Sequence, residues 1–352
     1  VKALLGRLAS KLRRRPILVT YDAATVSVFL YYQHVLPQLE AATGRPWHLK
    51  PAGEVDPAGL QGYRAVISMR GISEQSRAIL DAARRAGCRT IYDTDDNLLL
   101  ISQMIPDPDN DWRRIFDAAR PHIEAMLAGA DFVKVYAPSA RPFFTPYNEK
   151  VFVIRPYQIL TRECALAPRE GPLKVGFLGS AYKDEEFTPV LPAIERLLAE
   201  RADVVFEFFG FVPESLRGRP GVTVVKWESG YFDYRRRLDG LGWHAGLAPL
   251  RDIGFNRCKS NNRYREYAAS SIAGIYSDAP VYGDSIADGR TGLLVAQEST
   301  EAWYTAILRL TGDEELRRSI IRNAYEDVRT NYRAEGYVRE VAALMNRRAA
   351  RG

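Results

Sequence analysis

Residues 244–277 read HAGLAPLRDIGFNRCKSNNRYREYAASSIAGIYS. The run HAGLAPL is short and apolar, as a strand covered on both faces requires, and AGIYS at 273–277 is a second such run. The polar stretch between them predicts a helix over 260–271. A strand, a helix and a strand in this length form a parallel unit, because parallel neighbours need a long crossover.

The same alternation extends in both directions. Downstream of 172 it gives strands at 173–179, 203–209, 221–227 and 291–295, with helices near 185–200 and 231–239 and further helices to the end. Upstream it gives apolar runs at 16–21, 63–69, 89–93, 131–136 and 151–154, with helices predicted over 25–42, 73–86 and 110–128. Between the two series, Arg155–Pro172 has neither period and is rich in Pro, Arg and Glu, which marks a linker centred on 161–172. A chain of 352 residues is long enough for two domains at about 150 residues each. The expected fold is therefore α/β, with two Rossmann-like doubly wound domains, 16–160 and 173–332, facing each other across a crevice. A ligand is expected at the carboxyl ends of their strands. A last helix is expected at 333–347.

Composition narrows the function classes. Apolar residues make up 46% and charged residues 26% of the chain, an ordinary globular balance. The net charge of +6 comes from residues 1–15, where Lys2, Arg7, Lys11, Arg13, Arg14 and Arg15 stand without an acid. The remaining chain is balanced, so no basic face for nucleic acid is expected. Val1, Leu4, Leu5, Leu8 and Leu12 recur at helical spacing there, which predicts a short basic amphipathic helix suited to an anionic membrane surface or to a protein face. No apolar run reaches the roughly 18 residues of a membrane span, and no secretory signal pattern is present. Cys88, Cys164 and Cys258 are too far apart for a zinc knuckle and odd in number, so a cytoplasmic setting is expected, with a peripheral position on the inner face of the membrane if residues 1–15 bind lipid.

Several familiar motifs are absent. Neither half carries the dinucleotide glycine fingerprint or a phosphate loop ending in Gly-Lys-Ser/Thr. Asp107, Asp109 and Asp111 imitate a calcium loop, but Trp112 and Ala118 stand where Gly and Glu are needed. His34, His48, His122 and His244 lack metal-ligand spacing.

The loop after HAGLAPL groups Arg251, Asn256, Arg257 and Lys259 just before a helix N-terminus. Basic side chains beside unpaired N–H groups and a helix dipole make an anion site, and a diphosphate fits it. Arg263 and Glu266, three apart, share a helix face. Glu266 could accept hydrogen bonds from a ribose while Arg263 or Lys259 holds a phosphate; an internal Arg–Glu pair is the alternative. The turn Gly179-Ser180-Ala181-Tyr182-Lys183 lets a ligand approach the backbone and puts Lys183 near a phosphate, though any α/β protein has such turns. The loop Tyr21–Ser27 after the first strand offers backbone N–H groups, or is a plain helix start capped by Thr25 or Asp22.

Residues 244–295 resemble the nucleotide-sugar domain of group 1, family 4-like glycosyltransferases, which have the GT-B fold. The resemblance rests on HAGLAPL, FNRCKSNNRYREYAASSIAGIYSD and IADGRTGLLV, followed by EAWYTAILRLTGDEELRRSIIRNAYEDV. IYDTDDNL at 91–98 is similar to a segment of the first domain in a branch tied to bacterial surface polysaccharides. The resemblance implies transfer of a sugar from a nucleotide diphosphate-sugar to a hydroxyl of a glycan or lipid-linked acceptor, with no cofactor and no bound metal. It implies that Lys259 and Arg257 meet the diphosphate, that Glu266 meets the ribose, and that Lys183 with Gly179 and Ser180 meets the phosphate or donor sugar. The family commonly has a second glutamate eight positions before Glu266, and here that position is Cys258. A degenerate member that binds a glycan without turnover, and a sugar-nucleotide epimerase, are the competing expectations.

Asp93, Asp95 and Asp96 end the strand RTIYD. Clustered carboxylates repel one another and are costly unless something uses them. Asp95 or Asp96 could take a proton from an acceptor hydroxyl or orient it. Manganese binding, as in the Asp-x-Asp motif of single-domain sugar transferases, and a structural cap are the alternatives.

Overall fold

The computed structural model describes residues 15–166, 171–179, 184–228 and 230–347. They form two compact units. One comprises the chain to Tyr157 with Cys258–Ser260 and the segment from Ala334; the other comprises Gln158–Arg257 and Asn261–Arg333. The chain thus changes unit at Tyr157–Gln158, ahead of the expected linker. Residues 1–14 of the expected basic helix lie outside the described residues.

The first unit is built on a parallel sheet of six strands, β1 (Ile17–Tyr21), β2 (Trp47–Pro51), β3 (Ala65–Met69), β4 (Arg89–Asp93), β5 (Phe132–Val135) and β6 (Val151–Val153), in the order β2-β1-β3-β4-β5-β6. Strands β3, β4 and β5 are buried along their whole length; β3 reads as a near-continuous apolar run, whereas β4 and β5 carry Arg89, Asp93 and Lys134 inside. Edge strand β2 alternates, with His48 and Lys50 carrying polar groups outward, and its WHLKP gives no such run. Helices α1 (Leu36–Thr43), α2 (Glu74–Arg85) and α3 (Asp111–Gly129) cover the sheet with the C-terminal helix Ala334–Asn346, which packs on α1.

The single helix expected over 25–42 is three pieces: a turn at Val26–Val28, a π-helix at Phe29–Gln33 and α1. Pro37 at the start of α1 explains the break, since proline has no N–H to give and its ring clashes with the carbonyl four residues back. Thr25 caps the first piece through Val28 N. Asp22 serves another helix. Its carboxylate accepts from Ile72 N at 2.6 Å, Ser73 N at 2.9 Å and the Ser76 hydroxyl at 2.8 Å, placing negative charge at the start of α2.

The second unit holds β7 (Leu173–Gly179), β8 (Val204–Gly210), β9 (Val222–Val225), β10 (Ala245–Ala248), β11 (Ala273–Ser277) and β12 (Leu293–Val295), parallel and ordered β12-β11-β10-β7-β8-β9. Its helices are α4 (Leu191–Glu200), α5 (Tyr231–Gly240), α6 (Asn262–Ala269), α7 (Thr300–Gly312) and α8 (Glu314–Asn331). Pro189 and Pro192 confine α4 to the latter part of the helix expected near 185–200. Glycine on the sheet makes room for aromatic rings. A Cβ on Gly176 would lie 1.8 Å from the buried Trp243 ring, whose Nε1 donates to Glu207 at 2.9 Å. Gly176→Ala is therefore expected to cost about 1–3 kcal/mol through overpacking, seen as a lower urea midpoint for unfolding.

Candidate functional site

Each unit assembles its own set of residues at the carboxyl ends of its strands. In the first unit the acidic run follows β4. Asp93 is the last residue of that strand and is fully buried, and Asp95 and Asp96 lie in the loop beyond it. No cation stands beside them in the chain; the fold supplies two. Arg70, just past β3, places Nη1 2.6 Å from Asp95 Oδ1 and 2.8 Å from Asp96 Oδ2. Lys259 belongs to this unit with its chain neighbours, and its Nζ is 3.2 Å from Asp96 Oδ1. The Ser27 hydroxyl donates to Asp95 Oδ2.

Arg70 reaches this position from a left-handed backbone at φ 52°, held by its N–H donating to the Asp93 carbonyl at 2.8 Å. A non-glycine residue keeps such a conformation only where its surroundings enforce it, and such sites concentrate at functional loops. Burial alone would raise the Asp96 carboxyl, but Lys259 and Arg70 reverse this and hold it below the usual carboxylate range. Such a carboxylate accepts hydrogen bonds well and takes protons poorly. Among the described residues no group of three His, Cys, Asp or Glu side chains is placed to hold a metal ion.

Cys258 packs in the apolar core of the first unit with Leu98 and Leu99. Burial pushes its thiol up to about 12, so it is a neutral core side chain.

In the second unit the carboxyl ends of β7 and β8 come together at glycines. Gly210 has φ 95°, and a Cβ there would lie 2.3 Å from the Gly179 carbonyl oxygen and 3.0 Å from the Trp227 ring. Ser180 and Lys183, beyond Gly179, lie outside the described residues. Trp227 is 49% exposed, and its inner face stacks on Tyr234 at 5.6 Å between centroids and 26° between planes. Tyr234, on α5, is buried beside Glu266 and Arg263 of α6. The Arg263 guanidinium is hydrogen-bonded to the Glu266 carboxylate. Burial alone would lower Arg263; the Glu266 charge together with the neighbouring Tyr234, Tyr267 and Tyr282 more than offsets it, and the guanidinium is raised above its ordinary value. Below α6, fully buried Arg235 donates to the Glu266 carbonyl at 3.3 Å and the Ser270 hydroxyl at 2.8 Å, fixing the helix that carries Glu266.

The expected anion loop is internally paired in this structure. Arg257 donates through Nε and Nη2 to Asp252 at 2.5 and 2.6 Å. Asn256 is buried, with Nδ2 donating to Glu186 at 2.9 Å and to the Arg251 carbonyl at 3.0 Å, while its Oδ1 is buried without a partner. Lys259 and Arg257, two residues apart, fall in different units and take different acids. Sequence reasoning missed Trp227 and Arg70. A tryptophan directly after a strand run was a visible signal for the first; only the fold joins Arg70 to its carboxylates.

No protein-family model matches the chain, and no curated protein matches it by sequence. Solved structures do resemble it. Sucrose-phosphate synthase from Thermosynechococcus elongatus aligns with a TM-score of 0.68 at 15% identity, over 94% of this chain and 98% of that one. HepE from Anabaena, solved with UDP and glucose, aligns with a TM-score of 0.66 at 9% identity over 94% and 99%. TarM aligns with a TM-score of 0.61 at 14% identity over 82% of this chain and 55% of its own, so the present chain spans about half the length of TarM. A form of the Staphylococcus aureus TarM was solved with fondaparinux, α-GlcNAc-glycerol and UDP. These neighbours are GT-B glycosyltransferases, and at such identities the likeness establishes one thing about this chain: its α/β fold of two parallel six-stranded sheets is theirs.

Proposed function

We propose that this protein is a glycosyltransferase that moves a sugar from a nucleotide diphosphate-sugar to a hydroxyl of a glycan or lipid-linked acceptor, in the synthesis of bacterial surface polysaccharide or glycoconjugate, without a bound metal. The observation that carries this reading is the grouping in the second unit of the Gly179–Gly210 contact, the exposed face of Trp227 and the Arg263–Glu266 pair behind Tyr234. Glycine backbone accommodates phosphate, an exposed indole face accommodates a nucleobase and a carboxylate held from behind accepts ribose hydroxyls. UDP in the HepE and TarM structures makes a uridine nucleotide the first candidate.

The barrier to transfer falls when positive groups already stand where charge grows on the departing diphosphate. Arg257, Lys259 and Lys183 are the candidates for that role; Arg257 is paired with Asp252 and Lys259 with Asp96 in this structure. Asp95 and Asp96 orient the acceptor hydroxyl. The pairing of Asp96 with Arg70 and Lys259 favours hydrogen-bond acceptance over proton abstraction there, which favours retention, where the acceptor enters on the face the diphosphate leaves. Residues 1–15 bring the enzyme to an anionic membrane surface, where a lipid-linked acceptor would lie.

Thermal shift against UDP, GDP, dTDP, ADP and CMP, followed by transfer assays with sugars of the stabilising nucleotide, tests the reading, since only a ligand of the folded state raises its stability. No stabilisation by any nucleotide would sink it. Trp227→Ala is expected to weaken the stabilising nucleotide about tenfold, the lower part of the range for loss of one stacked base, measured by calorimetry. Unchanged affinity would remove Trp227 from the site. Burial of Cys258 in the first unit's core, at the position of the family's missing glutamate, favours a second reading in which a glycan is bound without turnover. Tight glycan binding with no transfer from any donor would select it.

A further inference from the structure

Beneath the Asp95–Asp96 cluster lies an ion pair that the proposed reaction does not use. Lys134, on β5, is 1% exposed, and Asp93, at the end of β4, is 0% exposed. The Lys134 ammonium is 2.9 Å from Asp93 Oδ2, 2.5 Å from the Tyr136 hydroxyl oxygen and 3.0 Å from that of Tyr337. The rings of Tyr136, Tyr337, Tyr32 and Tyr31 surround it with centroids at 4.1, 5.0, 5.3 and 5.6 Å. Asp93 Oδ2 also accepts from the Tyr32 and Tyr136 hydroxyls, and Asp93 Oδ1 is buried without a partner. Burial pushes the Asp93 carboxyl up and the Lys134 ammonium down, each opposed by the other's charge. Removing two charges from water is costly enough that an apolar pair of the same volume often holds a fold equally well. Stability alone therefore does not account for this pair.

Its connections lead to the acidic loop. Tyr32 lies in the π-helix Phe29–Gln33, the continuation of the turn that carries Ser27. Ser27 donates to Asp95 and Tyr32 donates to Asp93, so one helical segment is fastened at two points to the end of β4 and the loop that follows it. The π-turn turns two consecutive tyrosines, Tyr31 and Tyr32, toward one ammonium. Arg70, which holds Asp95 and Asp96, is itself tied by its N–H to the Asp93 carbonyl. Lys134 orders Asp93 and Tyr32, and through them both supports of the Asp95 carboxylate.

We propose that Lys134 and Asp93 are positioning residues for Asp95, joined to it through Tyr32 and the Ser27 segment. The catalytic side of this inference rests on the proposed transfer; the positioning side does not. Lys134→Met leaves the buried Asp93 without its countercharge, and its expected result is a large fall in melting temperature. Lys134→Met combined with Asp93→Leu removes both charges and is expected to restore the melting temperature to near that of the parent. With stability restored, turnover is expected to stay about tenfold down, as small misplacements of a reacting geometry cost, with donor KM within twofold of the parent. Amide hydrogen exchange at 94–97 is expected to be faster in the double variant than in the parent. A double variant with parental turnover and parental exchange would overturn the proposal. If the parent protein shows no transfer at all, the proposed reaction fails, and the exchange at 94–97 by itself decides positioning: faster supports it and unchanged overturns it.

Discussion

Arg70→Ala is expected to lower transfer by about 100-fold or more and folding stability by about 2–4 kcal/mol, because it removes the shared cation from two largely buried carboxylates. The Arg70 side chain is 23% exposed, against 9% for Asp95 and 20% for Asp96, so little water replaces it when it is deleted. Asp95 would keep the Ser27 hydroxyl and Asp96 would keep Lys259, but two neighbouring negative charges would face each other without the group that bridges them. The loss should depend on pH in a fixed direction. Asp96 in the folded protein lies below its unfolded value, so it contributes stability that is present above the unfolded carboxylate range and is lost as pH falls through the lowered folded value. Without Arg70 the folded value rises toward the unfolded one, and the acid limb of stability shrinks. Urea unfolding should show a constant difference between the parent and the variant from pH 7 to about pH 5, narrowing as the solution is acidified below about pH 4, through the unfolded and then the lowered folded value. Arg70→Lys is expected to recover part of the stability and little activity, since a single ammonium cannot bridge two carboxylates as a guanidinium does. Equal activity in parent and Arg70→Ala would show that the acidic loop has no part in the chemistry.

The contrast between this cluster and the rest of the fold shows what periodicity can and cannot carry. Central strands β3 and β7 are legible because burial on both faces writes itself as a near-continuous apolar run. Asp95, Asp96, Arg263 and Glu266 are legible because local density of charge at an element end needs a reason. What holds them is not. Arg70 lies 25 residues before Asp95 and Lys259 lies 163 residues after Asp96, and nothing in either local sequence marks the partner. Lys134 sits in the run DFVKVY, where a lysine between valines looks like a break in the strand or an outward charge; its aromatic surroundings come from three separate parts of the chain. Trp227 is exposed because it lies just past the end of edge strand β9, a position that follows from sheet order and not from any period. The division of Arg257 and Lys259 between units is equally invisible, since two residues of sequence separation suggest a common site.

Glu266→Ala is expected to weaken nucleoside diphosphate binding about 100-fold, the loss from two hydrogen bonds to a charged acceptor, each worth about 1.5 kcal/mol or somewhat more. The Arg263–Glu266 pair permits a purely internal role, so the size of that loss does not by itself make Glu266 a ligand. The sugar hydroxyls do. If the carboxylate accepts from the ribose, the parent protein should bind UDP more tightly than its 2′- or 3′-deoxy analogues, and Glu266→Ala should bind all of them alike. Arg263→Ala frees the carboxylate from the group that aims it and is expected to cost about tenfold while keeping discrimination among the sugars. In the double variant the two losses should fall short of their sum, because Arg263 acts on the nucleotide through Glu266 and has nothing to aim once that carboxylate is gone. A parent protein that does not distinguish ribose from deoxyribose would instead leave Glu266 as the internal partner of Arg263. The nucleotide would then have to be held by Trp227, the Gly179 backbone and the basic loop alone. Calorimetry with the analogue pair separates these cases, because a folding defect lowers both affinities and leaves their ratio unchanged.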